Sequence, residues 1–138
     1  MKTNTKFLPA LLLILALLFT GVSASANENV INPRYSNLAN YSLDFNASSS
    51  GGIFTGSYLG ISGNFSSATV TVKVQKQFLF LFWLDVGEWT STSTKVNGTF
   101  SHNFALDGSG TYKATITLTI KGTSGVADTV TQTIESSY

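Results

Sequence analysis

From Tyr41 onward, apolar and polar side chains alternate along most of the chain, the period-two signature of strands with one dry and one wet face. Tyr41, Leu43 and Phe45 alternate with Ser42, Asp44 and Asn46, and Val70, Val72 and Val74 with Thr69, Thr71, Lys73 and Gln75. The longest such pattern sets Tyr112, Ala114, Ile116, Leu118 and Ile120 against Lys113, Thr115, Thr117, Thr119 and Lys121. Weaker versions cover residues 53–59, 84–94 and 126–134 and the stretch holding Phe100, Phe104 and Leu106. Turn residues separate them at 47–52, at Gly60, at Gly63-Asn64, at Asp107-Gly108-Ser109-Gly110 and at 122–125. Asn97-Gly98 reads as a tight hairpin turn joining its flanking strands. Gly56, between Phe54 and Tyr58, marks a bulge or a close backbone approach. No helical period of any length occurs. About seven short one-sided strands predict an all-β fold, an antiparallel sandwich of two sheets.

One stretch breaks the alternation: Gln77-Phe78-Leu79-Phe80-Leu81-Phe82-Trp83. A strand running from Thr69 through Trp83 would hold fifteen residues. At about 3.3 Å per residue it would reach about 50 Å, too long for a domain of this size. A break is therefore expected at Gln75-Lys76-Gln77, with the apolar run opening the next element. Successive side chains point to opposite faces, so two readings follow. In the first, residues 78–83 form a central strand covered on both faces, each large side chain contributing about 1.5–3 kcal/mol on full burial. In the second, they form an exposed hairpin tip, a contact surface for a partner or a membrane. The sequence leans to the buried strand by a narrow margin. Trp83 and Trp89 share a parity, so Phe78, Leu79, Phe80, Leu81, Phe82, Trp83 and Trp89 make up the candidate contact surface.

The first 26 residues have another character. Lys2 and Lys6 precede a charge-free run over residues 7–19, and Ala24-Ser25-Ala26 supplies a small-x-small exit. This is the pattern of a secretory signal peptide cut after Ala26. The competing reading, an uncleaved anchor, needs about 20 apolar residues to span a bilayer, and Pro9 interrupts the run early. The expected organisation is a leader over residues 1–26, an N-terminal arm over 27–40 and the sandwich over 41–138, released outside the cell. Without the leader, six basic side chains face seven acidic ones. That balance, with no basic cluster, removes the electrostatic case for nucleic acid.

Candidate chemistry changes the picture little. The chain has no cysteine, so packing alone must stabilise it where small exported domains often use disulfides. One histidine and no cysteine leave none of the usual zinc ligand sets. His102 sits between Phe100 and Phe104; a hydrolytic triad needs a carboxylate to orient it and a serine within reach, and no nucleophile-elbow pattern occurs, so it reads as structural or merely exposed. Asp85 and Glu88, three apart between the tryptophans, resemble the paired carboxylates of sugar-active proteins. At that spacing on one strand they fall on opposite faces, which favours a solvated edge. Asp107-Gly108-Ser109-Gly110 lacks the spaced oxygen ligands of a calcium loop. No catalytic residue, cofactor or metal is expected. The functional expectation is a secreted, non-enzymatic interaction module whose partner stays open. The alternatives are a membrane-active protein inserting its apolar tip and, more weakly, a carbohydrate-binding domain using Trp83 and Trp89.

Two resemblances accompany this reading. Leu106-Asp107 followed by Gly110-Thr111-Tyr112-Lys113-Ala114 resembles the corner of immunoglobulin and fibronectin type III domains, where a tyrosine opening the penultimate strand bonds back to the preceding turn. Ala114 stands in place of the immunoglobulin cysteine. From about Asn32 to Ile134 the chain is also similar to small exported proteins of Gram-positive bacteria with no assigned function. Asn32-Pro33-Arg34-Tyr35-Ser36-Asn37-Leu38 looks like their opening segment. Val72-Lys73-Val74-Gln75-Lys76 with Trp83, Val86 and Trp89 looks like their central strand pair, and Gly110-Thr111-Tyr112 like the start of their final hairpin. The likeness implies a secreted bacterial sandwich, brings no active site, and leads one to expect a polar tip where this chain has Phe78 to Phe82.

Overall fold

Each stretch of alternation becomes a strand in the computed structural model, which describes residues 34–138; the leader and the first half of the N-terminal arm lie outside the described residues. The strands are β1 (Leu38–Ser48), β2 (Gly51–Gly60), β3 (Phe65–Phe78), β4 (Phe82–Ser93), β5 (Asn97–Phe104), β6 (Thr111–Gly122) and β7 (Ala127–Ser137). β1 begins inside the stretch read from the sequence as an arm. One sheet has the order β1-β2-β5 and the other β4-β3-β6-β7, and every pair is antiparallel. The described residues contain no helix. The two-sheet sandwich is consistent with an immunoglobulin-like fold, with one difference from the constant-domain arrangement: the fourth strand pairs with β3 and so joins the sheet of β6 and β7 instead of the sheet of β1, β2 and β5.

The dry faces meet between the sheets. Val70, Val72 and Val74 of β3 and Tyr112, Ala114, Ile116, Leu118 and Ile120 of β6 are fully buried against Phe45, Phe54, Tyr58 and Phe100 from the opposite sheet. The wet face of the four-stranded sheet is a threonine lattice. Thr92, Thr69, Thr119 and Thr129 form one row across all four strands, and Thr90, Thr71, Thr117 and Thr131 the next. Within the rows, hydroxyls meet at 2.9 Å between Thr69 and Thr92 and 3.0 Å between Thr71 and Thr90. Such cross-strand pairs each contribute about 0.2–1 kcal/mol.

Three fixed points hold the ends of the sandwich. The backbone N–H groups of Asn37 and Leu38 both donate to Asp128 Oδ2, and buried Asn37 donates from Nδ2 to Val126 O, tying the start of β1 to β7. Tyr58 donates from its hydroxyl to Lys95 O at 2.8 Å. The tyrosine corner is formed: Tyr112 Oη lies 2.9 Å from Asp107 O and 2.7 Å from Gly108 O, one proton shared by two carbonyls, and Tyr138 lies flat on its ring. Without that hydroxyl Asp107 O keeps Lys76 Nζ and Gly108 O keeps the Tyr138 hydroxyl as donors. Tyr112→Phe should therefore lower unfolding free energy by only about 0.5–1.5 kcal/mol, read as a shift of the denaturant midpoint at constant slope.

Several boundaries differ from the sequence reading. Asn97-Gly98 does not turn a hairpin. The preceding residues carry the chain from β4 in one sheet to β5 in the other, and Asn97 and Gly98 are already paired with Leu59 and Tyr58. Glycine suits that position because the phenol of Tyr58 lies over it, its oxygen 3.0 Å from where a Cβ would stand. Gly56 makes a close approach and no bulge: a Cβ would sit 2.8 Å from the ring of Phe54. Leu106 lies beyond the end of β5. The break expected at Gln75-Lys76-Gln77 is absent. β3 runs on to Phe78, 14 residues in all, and the turn falls inside the apolar run itself.

Candidate functional site at the β3–β4 hairpin tip

Beyond the Lys76–Tyr112 pair β3 has no β6 partner, yet its ladder with β4 continues through Gln77–Trp83 to Phe78–Phe82. The β3–β4 ribbon therefore overhangs the sheet. Its end is closed by Leu79, Phe80 and Leu81, with the N–H of Leu81 donating to Phe78 O at 3.1 Å. Leu79 has φ 51° and Phe80 φ 59°, the only non-glycine residues with positive φ among the described residues. Paired left-handed residues are the geometry of a type I′ turn, which Asn-Gly ordinarily supplies because those residues tolerate it. For ordinary L-residues the conformation costs about 1–2 kcal/mol each.

This settles which of the two readings of residues 78–83 the fold realises, and corrects the narrow leaning toward a covered central strand. Phe78 is 50% exposed, Phe80 89%, and Leu79, Leu81, Phe82 and Leu84 lie between those values. The reason is the position of the turn. With the chain reversing at Leu79-Phe80, the run splits between two strands past the end of the sheet, where nothing stands over it.

The two tryptophans part company. Gln75 pairs with Asp85 and Val74 with Gly87, so Val86 is an extra residue, a β-bulge. A bulge shifts by one the side-chain alternation on either side of it. Trp89, opposite inward Val72, therefore points into the sandwich, where it stacks on His102 at 4.7 Å and 11° and meets Phe54 and Phe100. Trp83, opposite Gln77, lies on the outer face beneath the Lys113 ammonium, 4.0 Å from the ring centroid. The shared parity expected from the spacing is thus wrong, and the tryptophans form no common platform. Trp89 and His102 close the side of the sandwich between edge strands β4 and β5, which fits the structural role read for His102.

The same bulge corrects the carboxylates. Asp85 and Glu88 share the outer face, opposite Gln75 and Lys73. Asp85 accepts from Gln75 Nε2 at 2.8 Å and pairs with Lys73 Nζ at 3.0 Å. The hydrogen bond from Gln75 and then Lys73 hold its carboxyl below the ordinary range. A folded-state value below the unfolded one means this contribution is present above the unfolded pKa and fades as pH falls through the folded one. Gln75→Ala is therefore expected to move the Asp85 midpoint upward in an NMR titration, and an unmoved midpoint would mean that the hydrogen bond is not formed in solution. The carboxylate is committed to the sheet surface, on an open face with no cleft.

One cation flanks the base of the tip on each face: Lys113 over Trp83 on the outer side, and Lys76 on the inner, bonded to Asp107 O and 5.5 Å from the Tyr112 ring centroid. Elsewhere, a shallow trough of about 370 Å³ crosses the outer face of the β1-β2-β5 sheet, lined by Ser42, Thr55, Ser57, Ser101 and their neighbours, none of them titratable. No group of three or more potential metal ligands occurs among the described residues. Comparison with protein-family models, curated proteins and solved structures finds no match to this chain.

Proposed function

We propose that this chain is an exported, non-enzymatic β-sandwich that binds a partner surface through the apolar tip of its β3–β4 hairpin. The observation that carries the reading is the conflict between the tip and folding. Large apolar side chains stand exposed at a turn whose backbone geometry suits Asn-Gly and disfavours Leu-Phe. A fold needs neither the exposure nor the strain, and local conflicts of this kind concentrate at functional sites.

Export is supported by the leader pattern of residues 1–26. The secreted form should have the mass of residues 27–138, and a mass that includes Met1 to Ala26 would count against cleavage. The absence of an enzymatic role is supported by the commitments of the candidate groups: Asp85 is taken up by Lys73 and Gln75, and His102 packs against the rings of Trp89 and Phe104. The separation of Trp83 from Trp89 weakens the carbohydrate reading. The test of the tip is retention by washed bacterial cells, comparing the wild type with Leu79→Asn/Phe80→Gly. Retention of the wild type and release of the variant support the proposal; equal retention, or none for either, overturns it.

A further inference from the structure

From the shape and chemistry of the tip we infer that its partner is the interior of a fluid lipid bilayer, entered to the depth of one headgroup layer and held by apolar contact more than by charge. This rests on the reading of the tip as the contact surface. The apolar side chains crown a projecting end: Leu79, Phe80 and Leu81 at the apex, Phe78 and Phe82 just behind them and Leu84 on the inner side, with Trp83 on the outer side opposite Gln77. A convex apolar end of this kind suits a medium that closes around it.

The dimensions agree. From the apex to the Gln77–Trp83 pair is about three residues, or about 10 Å at about 3.3 Å per residue. Amphipathic elements lying in a membrane interface bury about 5–10 Å, while crossing would need about 30 Å. The tip is long enough to anchor in one leaflet and far too short to span. Its backbone limits the depth: the ladder continues to Phe78–Phe82 and the Leu81 N–H is bonded, but both outer edges of the ribbon are unpaired past Lys76, and open edges are not tolerated in the hydrocarbon core, which keeps the tip at the interface.

Polarity changes sharply where the tip ends. Trp83 stands at the boundary, where membrane proteins place such rings, with the Lys113 ammonium over it and Lys76 on the opposite face. Both lysines can reach outward to headgroups with their stems along the apolar surface. The collar is nearly balanced in charge: Lys73 pairs with Asp85, and Lys113 faces Glu135 across the β6–β7 ladder. Binding should therefore need no anionic lipid and should survive screening.

The experiment is flotation of the secreted protein with phosphatidylcholine vesicles at about 0.1 M and about 1 M salt, between which the Debye length falls from about 10 Å to about 3 Å. Alongside it run Phe80→Asp, tryptophan emission and release of a trapped dye. The expected result is partition at both salt concentrations, a blue shift in emission, a loss of about tenfold or more with Phe80→Asp at unchanged melting temperature, and no dye release. Partition that vanishes at high salt, or that needs anionic lipid, overturns anchoring by apolar insertion. Dye release overturns confinement to one leaflet. If vesicles are ignored while cells retain the protein through its tip, the lipid inference falls and the contact reading stands; if cell retention is also independent of the tip, both fall.

Discussion

Replacing Leu79-Phe80 by Asn-Gly is expected to make the protein more stable and less able to hold its partner. Both positions have left-handed backbone, φ 51° and 59°, at about 1–2 kcal/mol each for ordinary residues, and neither side chain recovers that by burial. Asn tolerates the conformation and Gly adopts it freely. A net gain of about 1–3 kcal/mol follows, and the melting temperature should rise by roughly 5–10 °C in a domain of this size. Retention on cells and on vesicles should fall in the same variant. The opposed signs make the test specific, because a tip kept for folding would lose stability on replacement. An unchanged melting temperature would show that the turn carries no strain in solution.

Phe54→Ala should produce the largest loss of stability. Phe54 is fully buried, packs against Trp89, and faces the valines of the other sheet from the centre of β2. Truncating such a ring costs about 3–5 kcal/mol through lost contact and residual cavity. The whole stability of a small domain is about 5–15 kcal/mol, and no disulfide restrains the unfolded chain here. The denaturant midpoint should fall by a third or more at constant slope, with Trp89 emission following the transition. Phe80→Asp is the counterpart: a more drastic change of the same residue type at an 89% exposed position should stay within about 0.5 kcal/mol of the wild type. If the two variants were equally destabilised, the tip would have to be covered in solution.

What could be read from the sequence follows from which signals are local. β6 is legible because five apolar side chains alternate without interruption and all five are buried. The tyrosine corner is legible because the bond from Tyr112 reaches back only to Asp107 and Gly108. The tip is another matter. A type I′ turn ordinarily shows as Asn-Gly, and this one is built from residues that carry no turn signal, so the sequence points instead to Gln75-Lys76-Gln77, the nearest polar stretch. The bulge at Val86 leaves no mark in composition, yet it reverses the parity on which the pairing of the tryptophans and the separation of the acids both depended. Asn97-Gly98 misleads for a third reason. Its glycine answers to the ring of Tyr58, 40 residues earlier in the chain, and not to a local turn. In each case the deciding contact lies across the sheet, where a window of neighbouring residues does not reach.

The overhang of the β3–β4 ribbon also bears on how such a protein can change over generations. Past Lys76 the ribbon pairs with no third strand, so its loop can lengthen, shorten or be rewritten without disturbing the buried valines or the tyrosine corner. The sandwich then serves as an invariant handle and the tip as an interchangeable bit. A foreign loop grafted between Gln77 and Trp83 should be displayed on a body that folds as before, which makes this end of the molecule the natural place to install a new specificity.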